Sequence, residues 1–175
     1  MLHTVTPGAG LKSKYPEWVV FVVTRDATGR ANVMPAGWVM FACDDPCLFA
    51  VAIHKGHLTH ELIQRGGEFV IAVPAPGMEE AIRYCGSRSG RDVDKFATCD
   101  LQALPASRVQ PPLIGGARAN LECVLHSQTD AGDHTIFLGQ VVAAHEDDAI
   151  GARLMNFGDG LFAAALPAPP VSRER

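Results

Sequence analysis

The sequence predicts a mainly β protein, an antiparallel barrel of six or seven strands with short helices inserted around 56–64 and 76–84. Three observations lead there. Short apolar runs rich in valine and aromatic residues recur, each bounded by Gly, Pro, Asp or Asn at hairpin spacing. Helical periodicity is confined to two brief segments. A doubly wound parallel sheet would need regular crossover helices, and none is predicted between 18 and 54 or between 117 and 144.

Residues 1–16 carry two prolines and little apolar content, and read as an arm. Trp18 to Thr24 is a strong strand, Asp26 to Gly29 a turn, and Ala31 to Met34 the returning strand of a hairpin. Pro35-Ala36-Gly37 should interrupt it before Trp38 to Ala42 resumes, as at a bulge or a bend near a barrel edge. Asp44-Asp45-Pro46 turns into the central strand, Cys47 to Ile53. A short helix follows from Leu58 to Gln64, stopped by Gly66-Gly67. Phe69 to Val73 is the next buried strand, closed by Pro74.

Met78 to Tyr84 reads as a helix with Met78, Ala81 and Ile82 inward. Residues 85–96 are expected as a loop. Residues 99–116 are mostly loop, stiffened by Leu104-Pro105 and Pro111-Pro112. Asn120 to Leu125 and His134 to Ala144 are strands joined by a turn at 130–133, with Gly139 marking a bend or a close contact. Residues 147–155 are expected as a helical turn or an irregular crossing, and Leu161 to Leu166 as a last strand. One domain thus spans 17–166, and 167–175 is expected to be a disordered tail.

With 175 residues, 47% of them hydrophobic, the chain has material for one core. A net charge of −4 argues against a general nucleic-acid surface. Five cysteines without a CxxC pair argue for a reducing compartment rather than a disulfide framework. No apolar run is long enough to span a bilayer, and the N-terminus has no secretory pattern, so a cytoplasmic protein is expected.

Two stretches carry more chemistry than a connector needs. The bend after the central strand holds His54, Lys55, Gly56, His57 and Thr59 at a helix start, where free N–H groups suit a phosphate. The 85–96 loop holds two glycines, two serines, Arg88, Arg91 and Lys95. His54, His57 and His60 are three apart, but His54 ends a strand and no carboxylate or cysteine stands at ligand spacing, so no metal site is expected. Cys85, near Arg88, is a candidate reactive thiol without an assigned base; Cys47 and Cys123 read as core. Neither GxGxxG nor a P-loop is present.

Several pieces in order resemble one family: Asn32-Val-Met-Pro-Ala-Gly-Trp38, Asp45-Pro46 before a buried strand, Thr59 in the bend, Cys85-Gly-Ser-Arg-Ser-Gly90 running to Asp94-Lys95-Phe96, Pro111-Pro112-Leu113-Ile114, Leu121-Glu122-Cys123, and Gly132-Asp133-His134 with Gly139-Gln140-Val141. Together they resemble the flavin reductase-like family, with the FMN-binding split-barrel fold, in its flavoredoxin-type branch. The resemblance implies a homodimer binding FMN in a cleft near the subunit interface. It implies an oxidoreductase that reduces flavin with NADH or NADPH and passes electrons to free flavin or a redox protein partner. The alternative is a flavoredoxin-like electron carrier that holds FMN permanently and does not oxidise NAD(P)H.

The same resemblance suggests roles. Asn32 and Trp38 border the flavin ring, and Thr59 lies beneath the ring or its ribityl chain. Ser87, Arg88 and Ser89 lie nearest the phosphate, with Thr59 and Lys55 as alternative phosphate ligands. Lys95 approaches the ring, His134 faces the nicotinamide, and Phe162 covers the cofactor. Lys95 and His134 are the catalytic candidates. The residue chemistry alone leaves other readings open: Trp38 as plain core, His134 as a hairpin-edge residue, Lys95 as a solvated charge.

Overall fold

The structure is a computed structural model and describes residues 2–166. The strands are β1 (Glu17–Trp18), β2 (Val20–Arg25), β3 (Ala31–Ala36), β4 (Val39–Cys43), β5 (Leu48–His54), β6 (Glu68–Val73), β7 (Ala103–Leu104), β8 (Leu113–Ile114), β9 (Ala119–Ala131), β10 (His134–Glu146), β11 (Arg153–Gly158) and β12 (Leu161–Ala165). The α-helices are α1 (Pro7–Gly10), α2 (Leu58–Gly66), α3 (Glu79–Ser87) and α4 (Lys95–Thr98). Seven strands form one antiparallel sheet in the order β3-β2-β6-β9-β10-β5-β4. β1, β11 and β12 make a second small sheet, and β7 pairs with β8.

At β2, β5 and β6 the large sheet is apolar on both faces. Alternate residues of β2 point opposite ways, and both sets are buried. Val20 and Val22 join Phe49, Val51, Ile53, Phe69, Ile71, Cys123 and Phe137 in an inner cluster, so the sheet curls on itself. Ile63 of α2 packs into the same cluster. Phe21 and Val23 face outward with Val70 and Ala72 of β6 and meet Ile82, Phe96, Val109, Ile114 and Leu154, which come from α3, α4, the 99–117 segment and β11. This explains why the β2 run is continuously apolar rather than alternating. The close contact expected at Gly139 is real: a Cβ there would lie 2.3 Å from Phe69 Cζ and 2.9 Å from Cys123 Cβ.

Several boundaries differ from expectation. β3 runs through Pro35, which pairs in register with Phe21. β3 is an edge strand, so the missing N–H of proline breaks no ladder bond on its open side. The first expected strand divides: Glu17–Trp18 pairs with β11, and the chain changes sheets at Val19. β9 extends well beyond the apolar core that marked it, because residues 126–131 form an exposed ribbon without hydrophobic alternation, while β10 runs two residues further than expected. The helix expected to end at Tyr84 continues to Ser87, so the loop proper is 88–94. Residues 153–155, expected in a turn or crossing, begin β11. The arm forms a short helix and a 3-10 turn over Pro7–Lys14. The expected disordered tail, 167–175, lies outside the described residues.

The 99–117 segment is fastened by side chains of the sheet. Glu122, fully buried, accepts from the N–H groups of Ser107 (2.9 Å), Arg108 (2.5 Å) and Val109 (3.0 Å) and from Ser107 Oγ (2.8 Å). His145 Nε2 lies 2.6 Å from the same carboxylate. Glu68 accepts from Gln110 N, and the Asn120 amide bonds both backbone groups of Ile114. Burial alone would raise the Glu122 pKa, but the donors from Ser107, His145 and Arg108 outweigh it and hold it at about 2.

Removing the carboxylate in Glu122→Ala should cost about 3 kcal/mol, because several backbone donors lose their acceptor in a dry site. Urea unfolding measures it. Since the folded pKa lies below the unfolded value, the carboxylate's contribution is present above about 4.5 and is lost as pH falls toward about 2. The variant should therefore lack this part of the wild-type acid dependence.

Candidate functional site

A cleft of about 410 Å³ opens where β3, the start of α2 and the end of α3 meet. One wall is Asn32, Met34 and Pro35 of β3; a second is Gly56, His57, Leu58 and Thr59; the third runs from Cys85 to Arg91 and includes Lys95. A larger depression of about 620 Å³ lies between the β2–β3 turn and the C-terminal end of α2. It contains none of the expected site residues, so size alone does not choose the site.

Asn32 is buried at the back of the cleft. Its Nδ2 donates to Thr24 Oγ1 (3.2 Å) and Thr59 Oγ1 (3.0 Å). Both donors are thereby used, and Oδ1 is the one buried side-chain acceptor without a partner among the described residues. The chain passes over it at Gly90, where a Cβ would lie 2.0 Å from Oδ1, so only glycine fits that approach. Thr59, 1% exposed, stands in the first turn of α2. The helix has no side-chain cap bond at its N-terminus, which leaves its first N–H groups to the cleft side.

Lys95 is not a solvated charge. It is 5% exposed, and its Nζ donates to Val33 O (2.9 Å) and Cys85 O (2.7 Å). Asp94 starts its short helix by accepting from Ala97 N. Burial pulls the Lys95 pKa below the ordinary lysine value. The ammonium is held by two carbonyls, one of them in the last turn of α3, where the helix dipole is negative.

The loop is tied to α2. Arg91 Nη2 meets Glu61 Oε2 at 3.0 Å, and Nη1 donates to Gly56 O at 3.4 Å. Ser87 Oγ donates to Tyr84 O, and Ser89 Oγ accepts from Arg91 N. The Arg88 side chain is exposed at the mouth.

The structure thus brings Asn32, Thr59, Ser87, Arg88, Ser89 and Lys95 to one cleft. It does not bring Lys55, Trp38, His134 or Phe162 to its walls. Lys55 pairs with Asp130 across the β5–β10 end of the sheet. Phe162 lies half-buried on the outer core with the Arg83 guanidinium 5.5 Å from its ring, and does not line the cleft. Trp38 is 52% exposed, so it is not core; it packs on His134 with centroids 4.8 Å apart. His134 sits at the hairpin rim, its Nδ1 2.6 Å from Asp133 Oδ1.

His134 is 5.2 Å from His54, and His54 is 5.5 Å from His57, so a row of imidazoles links Trp38 to the cleft. Burial lowers the His57 pKa first, and the neighbouring His54 and His134 lower it further. His60 points elsewhere: it is buried, with Nε2 2.8 Å from Thr135 Oγ1, and shares no face with His57.

One family match and three solved structures bear on this geometry. The flavin reductase like domain matches residues 12–165. The chain belongs to the flavin reductase-like family. An FMN-binding protein of Thermus thermophilus superposes on it with a TM-score of 0.84, at 28% identity over 98% of each chain. The flavoredoxin of Desulfovibrio vulgaris (Miyazaki F) gives 0.82 at 25% identity, over 91% of this chain and 92% of its own. The NADH:FAD oxidoreductase of Streptomyces globisporus gives 0.81 at 27% identity, over 95% and 99%. The split-barrel architecture of this flavin reductase-like chain is therefore shared along nearly its whole length.

Sequence reasoning missed His57, Gly56 and Arg91 as cleft residues. All three lie in the two stretches marked as chemically rich, and the signal for Arg91 was its place in the loop opposite an acidic helix face at Glu61. Cys85 lines the cleft, but burial and the neighbouring Cys99 push its thiol up to about 12, which opposes a resting nucleophile.

Lys95→Met should leave the Val33 and Cys85 carbonyls without their donor. A loss of about 2 kcal/mol by urea unfolding is expected, together with faster hydrogen exchange at 85–95.

Proposed function

We propose that this flavin reductase-like protein binds FMN in the cleft between β3, α2 and the 85–95 segment, and that it oxidises NADH or NADPH. The observation that carries the reading is the pairing of an orphaned acceptor, Asn32 Oδ1, with a buried cation, Lys95, in the walls of one cleft of a family member. The donor set fits a flavin mononucleotide. Asn32, locked by Thr24 and Thr59, offers an acceptor to a ring N–H. Ser87, Arg88 and Ser89, with N–H groups around Gly86 and Gly90 and at the start of α2, offer charge-assisted donors to a phosphate.

When bound, the flavin supplies two-electron chemistry, taking a hydride from a nicotinamide and passing electrons on. Lys95 stabilises negative charge arriving beside it, and its burial strengthens that effect. No side chain is required as a proton-abstracting base for hydride transfer. The row from Trp38 through His134 and His54 reaches the cleft at His57, and in this proposal His134 packs on a nicotinamide or attracts its pyrophosphate. A homodimer completes the proposal: Trp38, Met40 and Phe41, between 52% and 61% exposed, leave apolar surface along the edge strand β4 for a second copy.

A second reading, an electron carrier with permanently bound FMN, is favoured by the likeness to the flavoredoxin. Steady-state NAD(P)H oxidation with added free flavin separates the two. Catalytic turnover supports the reductase; a coloured protein with no turnover and no flavin exchange supports the carrier. A protein that retains no FMN after titration and gel filtration refutes both.

Arg88→Ala should weaken FMN about tenfold, about 1.4 kcal/mol, and leave riboflavin, which lacks the phosphate, nearly unaffected. Equal losses for both ligands would move Arg88 away from the phosphate. His134→Ala should raise the KM for NAD(P)H or slow flavin reduction in stopped flow, with FMN affinity kept within about threefold. Wild-type reduction at every NAD(P)H concentration would remove His134 from that step. Sedimentation at micromolar concentration should give a species near twice 18.7 kDa; a monomer alone would rule out the dimer.

A further inference from the structure

Cys85 and Cys99 lie in different helical segments, fourteen positions apart, yet their sulfurs are 3.8 Å apart. Cys85 is 1% exposed and lines the cleft from the end of α3. Cys99 caps α4 and is only partly buried, packed against the outer core. Between them runs the stretch that forms one cleft wall, from Gly86 through Arg91 to Lys95. The Lys95 ammonium, bonded to Cys85 O, already joins the two ends of that stretch. A disulfide needs a sulfur separation of about 2.05 Å, so the pair must close by about 1.8 Å.

We propose that Cys85 and Cys99 are a modification site: a peroxide joins them in a disulfide that fastens the cleft wall between them. The chemistry balances with hydrogen peroxide as the two-electron oxidant. The Cys99 thiolate attacks one peroxide oxygen, the O–O bond breaks, and the departing hydroxide takes a proton to leave as water. Cys99 is now a sulfenic acid. The Cys85 sulfur attacks the Cys99 sulfur, the S–O bond breaks, and the Cys85 thiol proton leaves with the hydroxide as a second water. Two thiols and one peroxide give one disulfide and two waters. Cys99 reacts first because it is the more accessible of the two. Cys85, buried and with its pKa pushed up to about 12, acts only on a sulfur already oxidised beside it.

Peroxide is what reduced flavins yield with dioxygen, so the oxidant arises at this cleft if the flavin reading holds. The cross-link itself does not depend on that reading. Its structural effect is to close a covalent ring around residues 86–98. Both ends of the wall are then held by a bond as well as by the Lys95 contact, and the loop over Asn32 loses freedom.

The experiment treats the purified full chain with limiting hydrogen peroxide, alkylates the remaining thiols and maps the unreduced peptides by mass spectrometry. A Cys85–Cys99 linked peptide pair that disappears with dithiothreitol is expected, with Cys43, Cys47 and Cys123 alkylated. Linkage through Cys43 or Cys47 instead, or Cys99 over-oxidised while Cys85 is alkylated, overturns the proposal. Cys85→Ser should leave a Cys99 sulfenic acid that dimedone traps; no adduct there overturns the assigned order of attack. Hydrogen exchange at 88–94 should slow about fivefold in the linked protein, and unchanged exchange overturns the fastening. FMN release should slow about threefold. A linked, slowed loop with unchanged FMN release would leave the disulfide standing and overturn its coupling to the flavin cleft.

Discussion

A sheet that is apolar on both faces sets the terms for everything around it. Val19 to Thr24 are all at most 3% exposed, and Phe69 to Ala72 of β6 are fully buried. Such strands cannot present either side to water without exposing several large side chains, each worth about 2 kcal/mol or more when buried. Curling covers one face, since β2 and β5 meet through the inner cluster. The other face needs separate material, and α3, α4, the 99–117 segment and β11 provide it. The cleft lies on the seam between barrel and cover. That is where backbone groups of both layers come within reach of one another without a continuous ladder to satisfy them.

Two buried ions of opposite sign hold the cover in place. Glu122 projects from the sheet and gathers three consecutive N–H groups of the cover. Lys95 projects from the cover and gathers carbonyls of β3 and α3. Each is neutralised mainly by peptide dipoles rather than by a full counter-charge, although His145 reaches Glu122 from the edge. Such arrangements fix position more than they add net stability, because desolvating an ion offsets much of what its partners return. A greasy cover slides; one pinned by an ion to named backbone groups has a single register.

The barrel was readable from the sequence because its signal is local. The apolar runs, their turns and the short helix at Leu58 all follow from neighbours within a few residues. Boundaries failed where tertiary context decided them. Pro35 reads as a strand breaker unless β3 is known to be an edge. The polar ribbon of 126–131 has no alternation to mark it, and β11 pairs with the distant Glu17 and with β12. At the site, Asn32, Thr59, Ser87, Arg88, Ser89 and Lys95 line one cleft, whereas Lys55, Trp38, His134 and Phe162 do not. Lys95 was legible as a cation but not as a buried one, since its acceptors are 62 and 10 positions away. The Cys85–Cys99 contact and the Trp38-to-His57 row depend on how loops fold back, which no spacing encodes.

The contact of Phe69 with Gly139 has a consequence for how such a scaffold diversifies. The ring fills the space that any larger residue at 139 would need, and the inner cluster around it is fully enclosed. Among the described residues the interior of the barrel is filled by this buried cluster. The proposed flavin chemistry therefore falls on the outer seam, on a loop whose residues contribute little to that cluster. Substitutions in 88–94 can reshape what is accepted there while the inner packing is untouched, so selection on acceptor choice and selection on foldedness act on nearly separate sets of positions.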